Sequence, residues 1–539
     1  MSARLLEVDR LAGDLNAGRI GRRQFLARGA ALGLSASALS TLLAACGGAA
    51  SGTGGGDLHL APGNVVTLDP AFVEGEADIA AGIFEGLVAF KQGTYDIGNQ
   101  LAEKIEQSDD GRQVSFALKQ GVQFHHGYGE VTAEDVKFSF ERIAGKTQPV
   151  VQSYWKDDWQ ALDHVEVTGK HSGVIHLTES YGPLFRTTLP VTPGWVISKK
   201  AYEELGPRKF KLHPVGTGKY QFKEVIPQQR SVLERFPGYS GASDEVYGSG
   251  KAAFDQLTFV YIGGNQTLWA AMKTGELSYI DGSQEDFDNL KGDKRFKGTE
   301  HQAAGLNVVA LNVLLPELSD VNVRRAILKA IDRQAIFEAV YNGDGELGDA
   351  FLPPVLGFDD WHGDFDQDLD AAKDYMAKAG VDSLTIPLQY SPDTDNANMA
   401  ELIQGDLSKI GIKVVLKPDI NFQNPGPQLR KNGITQVSFG VIGPDPSQYF
   451  LWFTCDQVEQ YNYAGWCDPR FTKLYADSIR ETDQEQRGAL FVEMQKMIYD
   501  AAIILPLTLQ SSMGIANQDV VAGAWMPDGR PLYAAFEAL

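Results

Sequence analysis

The stretch LNVVALNVLLPELSDVNVRRAILKAIDRQAIFEAVYNGDGELGDAFLPP, residues 306–354, decides the fold. Its first ten residues, 306–315, are mostly Val and Leu, and they predict a buried strand. A proline ends this apolar run, after which Ser319 or Asp320 can cap a helix. Asp332 can begin a second helix directly after the first. The stretch therefore predicts one strand followed by two helices in an α/β protein.

Helical spacing gives each of the two predicted helices one apolar face. The first helix is expected to bury Val323, Ala326, Ile327, Ala330 and Ile331, and the second to bury Ile336, Ala339 and Val340. Gly343 lies where a helix C-terminus favours a residue without a Cβ. Both helices are therefore expected to pack against the strand that precedes them.

The same stretch closely resembles a family signature. Residues 320–324, DVNVR, and 330–333, AIDR, resemble the extracytoplasmic solute-binding proteins of ABC importers, in the oligopeptide-, dipeptide- and nickel-binding class. The resemblance implies an α/β, two-lobed periplasmic-binding-protein fold with an extra subdomain on the first lobe and a central ligand cleft. It also implies that the chain crosses between the lobes twice, near 305–311 and near 503–509.

Other motifs extend the resemblance, in the same order along the chain, over about residues 57–539. They include an Asp-Pro turn before a Glu-Gly-Leu, a Gly-Val-Gln-Phe run, a Val-Gly-Thr-Gly turn and a second Asp-Pro turn. The implied organisation is a first lobe at 57–305 plus 511–539, with a subdomain at about 103–211, and a second lobe at 306–510.

Composition restricts the classes of partner. The formal net charge is −22 over 539 residues, and only the first 45 residues are basic on balance. An acidic body is the wrong complement for the phosphates of nucleic acid. It is equally unsuited to binding an anionic membrane surface directly. The ordinary interpretation of the acidity is a solvated surface that keeps the protein soluble.

The N-terminus reads as a processing signal. The twin arginines Arg22 and Arg23 precede a mildly apolar run at 29–45, and Leu-Ala-Ala-Cys46 resembles a lipoprotein cleavage box. The pattern predicts a twin-arginine-type lipoprotein signal peptide at 1–45, acylation of Cys46 and a flexible Gly/Ser tether at 46–56. The alternative is an ordinary buried helix with a chance cysteine. Acylation would hold an exported, periplasmic or cell-surface protein at the membrane through its lipid alone.

Two further cysteines, Cys455 and Cys467, remain after Cys46. In an oxidising compartment a disulfide between them is the expected state. The alternatives are two buried thiols or half of a metal site, although no Cys-x-x-Cys pattern or neighbouring histidine favours a metal.

The resemblance also implies which residues line the cleft. They come from the loop after the first Asp-Pro turn, from the subdomain, from the loop after a lobe I strand and from the strand before the second Asp-Pro turn. The expected ligand-binding residues are Glu74, Gly75, Glu76, Tyr154, Asp281, Gly282, Ser283, Phe439, Gly440, Val441, Ile442 and Asp445. For Glu74 and Glu76 a solvated first helical turn, favoured by the helix dipole, is an equal alternative.

One position departs from the peptide-binding pattern. Family members that bind peptides hold the ligand's α-ammonium with an acidic residue, and Ile442 occupies that offset here. A buried ammonium needs a charged or well-hydrogen-bonded partner, so Asp445 is a possible replacement beside its ordinary role in the turn. Peptide is the first expectation, an oligosaccharide or other neutral solute the second, and nickel is disfavoured because no His or Cys cluster is present.

Enzymatic and purely structural roles are the competing classes. The sequence contains no Gly-x-Ser-x-Gly, no His-Glu-x-x-His and no phosphate-binding loop. A structural surface lipoprotein would not require the cleft motifs. The resemblance implies a monomer without cofactor, whose partners are a small solute and the permease subunits of an importer.

Overall fold

The structure is a computed structural model. It describes residues 56–61, 65–73, 76–92, 94–226, 228–247, 252–282, 292–341, 343, 345–358, 361–418, 431–440, 444–458, 460–522, 525–526 and 529–539. The predicted signal peptide, the predicted acylation site Cys46 and the predicted tether up to residue 55 lie outside these ranges. Within them, no helix combines the length and the apolar character that crossing a membrane requires.

Twenty-two strands occur in the described part of the chain. In chain order they are β1 (Asp57–Leu60), β2 (Glu85–Gly86), β3 (Val88–Phe90), β4 (Ile97–Asn99), β5 (Ala102–Gln107), β6 (Gln113–Leu118), β7 (Gln123–Phe124), β8 (Gly129–Glu130), β9 (Leu162–Gly169), β10 (Ser172–Leu177), β11 (Trp195–Val196), β12 (Tyr220–Ile226), β13 (Arg230–Arg235), β14 (Gln256–Val260), β15 (Tyr279–Gly282), β16 (Phe296–Leu311), β17 (Leu384–Tyr390), β18 (Ile412–Pro418), β19 (Ile434–Gly440), β20 (Ile504–Asn517), β21 (Val520–Val521) and β22 (Glu537–Ala538).

The α-helices cover the sheets. They are α1 (Ala77–Ala80), α2 (Ala133–Ile143), α3 (Lys199–Leu205), α4 (Pro207–Phe210), α5 (Asp244–Tyr247), α6 (Asn265–Thr274), α7 (Val321–Ala330), α8 (Arg333–Tyr341), α9 (Leu369–Ala379), α10 (Thr394–Ser408), α11 (Ser447–Leu451), α12 (Pro469–Arg480) and α13 (Gln484–Ala501).

One ten-stranded sheet runs through both lobes, in the order β12-β13-β14-β1-β15-β20-β16-β19-β17-β18. The strands β16 and β20 are long and antiparallel, and they form the centre of the sheet. On the lobe I side β20 pairs with β15, and on the lobe II side β16 pairs with β19. The two-lobed α/β fold predicted from the sequence is confirmed.

The central strand pair is interrupted where the lobes meet. Its register shifts between Gln302 and Leu306, and again between Asn307 and Val308. On the lobe I side of the break the strand pair is extended by β15, which pairs with β20. On the lobe II side it is extended by β19, which pairs with β16. The break overlaps the crossing predicted near residues 305–311, and the division of the chain at residues 305 and 510 stays a prediction.

The predicted strand at 306–315 is displaced in the structure, because β16 spans Phe296–Leu311. It ends early because Asn312 turns the chain: its side-chain oxygen accepts from the amide of Leu314 at 3.0 Å, and its amide donates to the carbonyl of Asn432 at 2.7 Å. Such side-chain bonds compete with continued strand pairing. The strand β16 begins ten residues earlier than predicted because residues 296–305 lie along β20. Their mostly polar sequence does not indicate a strand.

The two helices after this strand follow the prediction closely. Asp320 caps α7 by accepting from the amide of Asn322 at 2.7 Å. All five residues expected on its inner face are buried. For α8, Ile336 is buried as expected, but the expectation for Ala339 is wrong, because Ala339 is exposed and Phe337 takes the inner position. Burying a phenylalanine contributes more than burying an alanine.

Lobe I carries an additional four-stranded antiparallel sheet, in the order β5-β6-β10-β9, with α2 packed against β9. Thr132 and Asp135 form a capping box at the start of α2, in which the Asp135 carboxylate accepts from the amide of Thr132 at 3.0 Å. This sheet lies within the stretch 103–211 that the resemblance assigned to the extra subdomain, apart from the first residue of β5.

Each lobe has its own large apolar core. Leu58, Phe84, Phe140 and Trp159 belong to the core of lobe I and its subdomain. Lobe II has a separate core, which includes Leu311 and Phe491. The predicted disulfide between Cys455 and Cys467 is present in lobe II, where it closes a short loop before α12. Separate cores allow the lobes to move as units.

A buried ion pair joins two elements of lobe II. The carboxylate of Asp445 accepts from both terminal nitrogens of Arg487, at 2.7 and 3.0 Å, and both side chains are completely shielded from solvent. Asp445 also accepts from the amide of Ser447 at 2.9 Å. Burial alone would raise the pKa of Asp445, but Arg487 and these hydrogen bonds hold the pKa below its ordinary value.

Replacing Arg487→Ala is expected to lower the free energy of unfolding by about 3–5 kcal/mol, because Asp445 would remain charged and buried without its partner. Urea denaturation measures this change. The control is Arg470→Ala, which removes a pair from a side chain that is 80% exposed and is expected to cost no more than about 1 kcal/mol. Equal effects of the two substitutions would contradict this role of the buried pair.

Candidate ligand cleft

Two strands end at the crossing from opposite lobes. The last residues of β15 pair with β20, with Gly282 opposite Met513. The last residue of β19, Gly440, pairs with Gly305 of β16. Because Gln302 pairs with Ser511 and Leu306 with Leu509, the two ends differ by only about three residues along the sheet, or about 10 Å. The carboxyl ends of β15 and β19 thus point towards each other across the junction of the lobes.

The strand β19 has an unoccupied edge beside this junction. On one side it pairs with β16 along its whole length. On the other side β17 pairs only with Ile434 and Thr435, so the later residues have no neighbouring strand within the described ranges. The carbonyl of Phe439 accepts from the hydroxyl of Tyr449 at 3.1 Å, which fixes the end of the strand. An extended chain could add to this edge by main-chain hydrogen bonds.

A cavity of about 240 Å³ opens beside the same strand. Its walls are uncharged, and they consist of Asn307, Val308, Tyr341, Ser391, Asn396, Met399, Gln436, Val437, Ser438, Tyr463 and Leu507. Asn307 organises the polar side by accepting from Ser438 at 2.6 Å and donating to Thr508 at 2.9 Å. The chemistry of this wall suits a neutral polar or apolar group better than an ion.

On the lobe I side, Asp281 is accessible to solvent at the end of β15. Its carboxylate accepts from the hydroxyl of Tyr279 at 2.9 Å. The surrounding protein displaces bulk water on several sides and raises the pKa of Asp281, although the side chain itself is reachable. An accessible carboxylate is suited to contact a cationic group.

Two further lobe I candidates, Glu76 and Tyr154, lie within the described residues. Glu76 precedes α1, and its carboxylate accepts from the amide of Val66 at 2.7 Å, so it tethers the loop after β1. The amide of Tyr154 donates to the carbonyl of Ala71 at 3.1 Å. The ring of Tyr154 is 64% exposed and meets Phe72 edge-on. Both side chains therefore remain at least partly accessible to solvent.

The structure does not leave Asp445 available to anchor a ligand. Its two oxygens are occupied by Arg487, and no part of its side chain is exposed. A peptide ammonium would have to displace Arg487 from a buried bond. Glu74, Gly75, Ser283, Val441 and Ile442, which were also predicted to line the cleft, lie outside the described residues.

Contacts between the lobes were missing from the sequence-based prediction. Arg186 of lobe I donates to the carbonyl of Pro444 at 2.6 Å and to the carbonyl of Leu356 at 3.0 Å, both in lobe II. These partners are 258 and 170 positions away in the sequence. No local pattern distinguishes such an arginine from a solvated one.

A metal site receives no support from the described residues. Among them, no group of three or more His, Cys, Asp or Glu side chains converges as a metal would require. The cleft residues that the structure does describe are main-chain ends, uncharged polar groups and Asp281.

The comparisons with known proteins agree with the fold. The family model described as "Bacterial extracellular solute-binding proteins, family 5 Middle" matches residues 96–461. The "Dipeptide-binding protein" of Escherichia coli K12 is 28% identical over 452 residues, which are 78% of this chain and 82% of that protein. "Heme-binding protein A" of Haemophilus influenzae is 26% identical over 80% of this chain and 82% of its own length.

A solved structure has the same architecture. The dipeptide-binding protein of Pseudoalteromonas sp. SM9913, in complex with Met-Leu, superimposes with a TM-score of 0.77 at 23% identity and covers 90% of this chain and all of its own. The matched family consists of solute-binding proteins rather than enzymes, and the superposition shows the same fold. The chain is a member of the bacterial extracellular solute-binding proteins of family 5.

Proposed function

We propose that this protein captures a small peptide between its two lobes and delivers it to the permease subunits of an ABC importer. The unoccupied edge of β19 beside an uncharged cavity carries this proposal, because an extended peptide can add to a strand edge while its side chains enter neighbouring pockets. The dipeptide-binding relative and the Met-Leu complex support the same ligand class.

A peptide also carries an α-ammonium that needs a partner. Asp445 is committed to Arg487, and Ile442 cannot supply a charge. Asp281 is accessible, lies at the end of β15, and has one oxygen bonded by Tyr279. We therefore assign the ammonium contact to Asp281, on the lobe opposite the peptide-pairing strand.

An oligosaccharide is the second ligand class expected from the sequence. Sugar sites use exposed aromatic rings with polar edges. Tyr154 is exposed, but Trp155 and Tyr449 are buried in the two cores, and the indole of Trp155 is bonded to the carbonyl of Val73 at 3.0 Å. Trp452 and Tyr463 are half-buried, and Tyr463 lines the cavity beside β19, so an oligosaccharide remains the second ligand class.

Thermal shift and calorimetry with Met-Leu, N-acetyl-Met-Leu and maltotriose test the assignment. Met-Leu is expected to stabilise the protein, by about 2.7 kcal/mol at one hundred times its dissociation constant. N-acetylation is expected to weaken binding at least about tenfold, and Asp281→Asn to weaken Met-Leu similarly while abolishing the difference between the two peptides.

The control variant is Asp374→Asn, which changes an exposed carboxylate on α9 and should leave both affinities unchanged. Stabilisation by maltotriose without stabilisation by either peptide would overturn the peptide assignment. Binding of Met-Leu that is unaffected by both acetylation and Asp281→Asn would overturn only the role of Asp281.

The location follows from the family and the N-terminus together. Members of this family are extracytoplasmic, and the twin arginines and the cleavage box support export followed by acylation of Cys46. Mass spectrometry of the mature N-terminal peptide is expected to find a lipid on Cys46. A mature chain that begins at another residue without lipid would contradict the anchor and leave the binding role intact.

A further inference from the structure

We propose that residues 179–188 of lobe I form a latch, whose docking on lobe II sets the balance between closed and open lobes. This latch segment follows β10 and includes a π-helical turn, Leu184–Thr188. It lies away from the β16–β20 crossing in sequence, and it contacts α12, α13 and the Pro-Asp-Pro turn of lobe II.

Gly182 and Ser180 of the latch segment make the first contact. The amide of Gly182 donates to the carbonyl of Ile479 at 2.8 Å, and the hydroxyl of Ser180 donates to the carbonyl of Arg480 at 2.7 Å. Both acceptors lie at the C-terminus of α12, where helix carbonyls lack intrahelical donors. The latch therefore satisfies groups that water would solvate if the lobes separated.

Because Gly182 has no Cβ, its backbone can lie closer to lobe II than the backbone of any other residue type could. A Cβ at this position would overlap the carbonyl of Glu481 and lie 2.8 Å from Nε of Arg487. The three atoms nearest to that Cβ all belong to lobe II, and the φ angle of Gly182 is one that other residues adopt. Alanine would therefore be tolerated within lobe I and would obstruct only the docked state.

Arg186 makes the second contact, four residues further on. Besides its bonds to Pro444 and Leu356, its guanidinium lies 3.6 Å from the Asp445 carboxylate and 5.4 Å from the ring centre of Phe358. Every one of these partners is in lobe II. Hydrogen bonds from a charged donor are stronger than those between neutral groups, and the guanidinium of Arg186 is mostly shielded from water.

Asp445 is already paired with Arg487, so Arg186 is not needed to neutralise it. The contact between Arg186 and lobe II can thus break without leaving a buried charge alone. Pro444 and Asp445 follow β19 by only a few residues, so Arg186 contacts the turn that comes after this strand.

Docking of the latch therefore shifts the equilibrium between open and closed lobes even when no ligand is bound. When only a fraction of the molecules is in the conformation that binds the ligand, the apparent affinity is reduced by that fraction. A latch that stabilises the closed arrangement raises this fraction before the ligand arrives. It also slows opening once the ligand is held.

The test measures the distance between the lobes in the ligand-free protein. Nitroxide labels are placed on exposed positions of the two lobes by Glu203→Cys and Asp374→Cys, in a Cys46→Ser background that keeps the native disulfide. Pulsed electron resonance then gives the distance distribution for the unchanged latch and for Gly182→Ala. The matched control is Gly405→Ala, at a helical glycine with open space around its Cβ.

The unchanged protein and the Gly405→Ala control are expected to share one short-distance population. Gly182→Ala is expected to lower the ratio of closed to open molecules at least about tenfold. Arg186→Met, which keeps the side-chain length and removes the hydrogen bonds, should shift the ratio in the same direction. It also serves as the test if Gly182→Ala does not fold.

Superimposable distance distributions for all four proteins would overturn the latch. Because no ligand is present, this result would leave the proposed peptide binding unaffected. Conversely, a failure of every peptide to bind would not alter the expected shift of Gly182→Ala.

Discussion

The pairing of β16 with β20 is the constraint on which the two-lobed structure depends. These strands, Phe296–Leu311 and Ile504–Asn517, are hydrogen-bonded to each other on both sides of the junction and to different neighbours in each lobe. Their register breaks only between Gln302 and Val308. Each lobe has its own apolar core, although Ile479 of lobe II packs with the core of lobe I, so bending at this break can move the lobes while most core contacts are kept.

The candidate cleft is a consequence of the same pairing. Because β15 and β19 attach to opposite sides of the strand pair and run towards the junction, both of their carboxyl ends lie beside it. A strand edge, an uncharged cavity and the accessible Asp281 are thereby assembled from two lobes. In this arrangement a ligand contacts both lobes only when they are closed, which couples binding to closure.

Local pattern and motif were sufficient for the parts of the fold that depend on nearby residues. Helix α7 and its buried face follow from the spacing of Val323, Ile327 and their neighbours, and the Asp320 cap follows from residue type. The polar half of β16 could not be predicted in this way, because residues 296–302 are strand only through their pairing with β20. Ala339 was placed on the buried face by periodicity, but the adjacent Phe337 has more apolar surface to bury.

The same limit applies to the site. The turn containing Asp445 was recognisable, but its partner Arg487 lies 42 residues further on, and its engagement removes Asp445 from the ligand. Asp281 and Gly440 were named by resemblance, whereas the neutrality of the cavity depends on residues from six separate segments. The lobe contacts of Gly182 and Arg186 join positions hundreds of residues apart, so no sequence window contains them.

Hydrogen–deuterium exchange with and without Met-Leu tests the central claim most directly, because it reports on both lobes in one experiment. Binding between the lobes predicts slower exchange in peptides covering β15, Tyr279–Gly282, and β19, Ile434–Gly440, at the same Met-Leu concentration. Protection confined to one of these strands, or absent from both while Met-Leu is bound, would contradict capture between the two lobes.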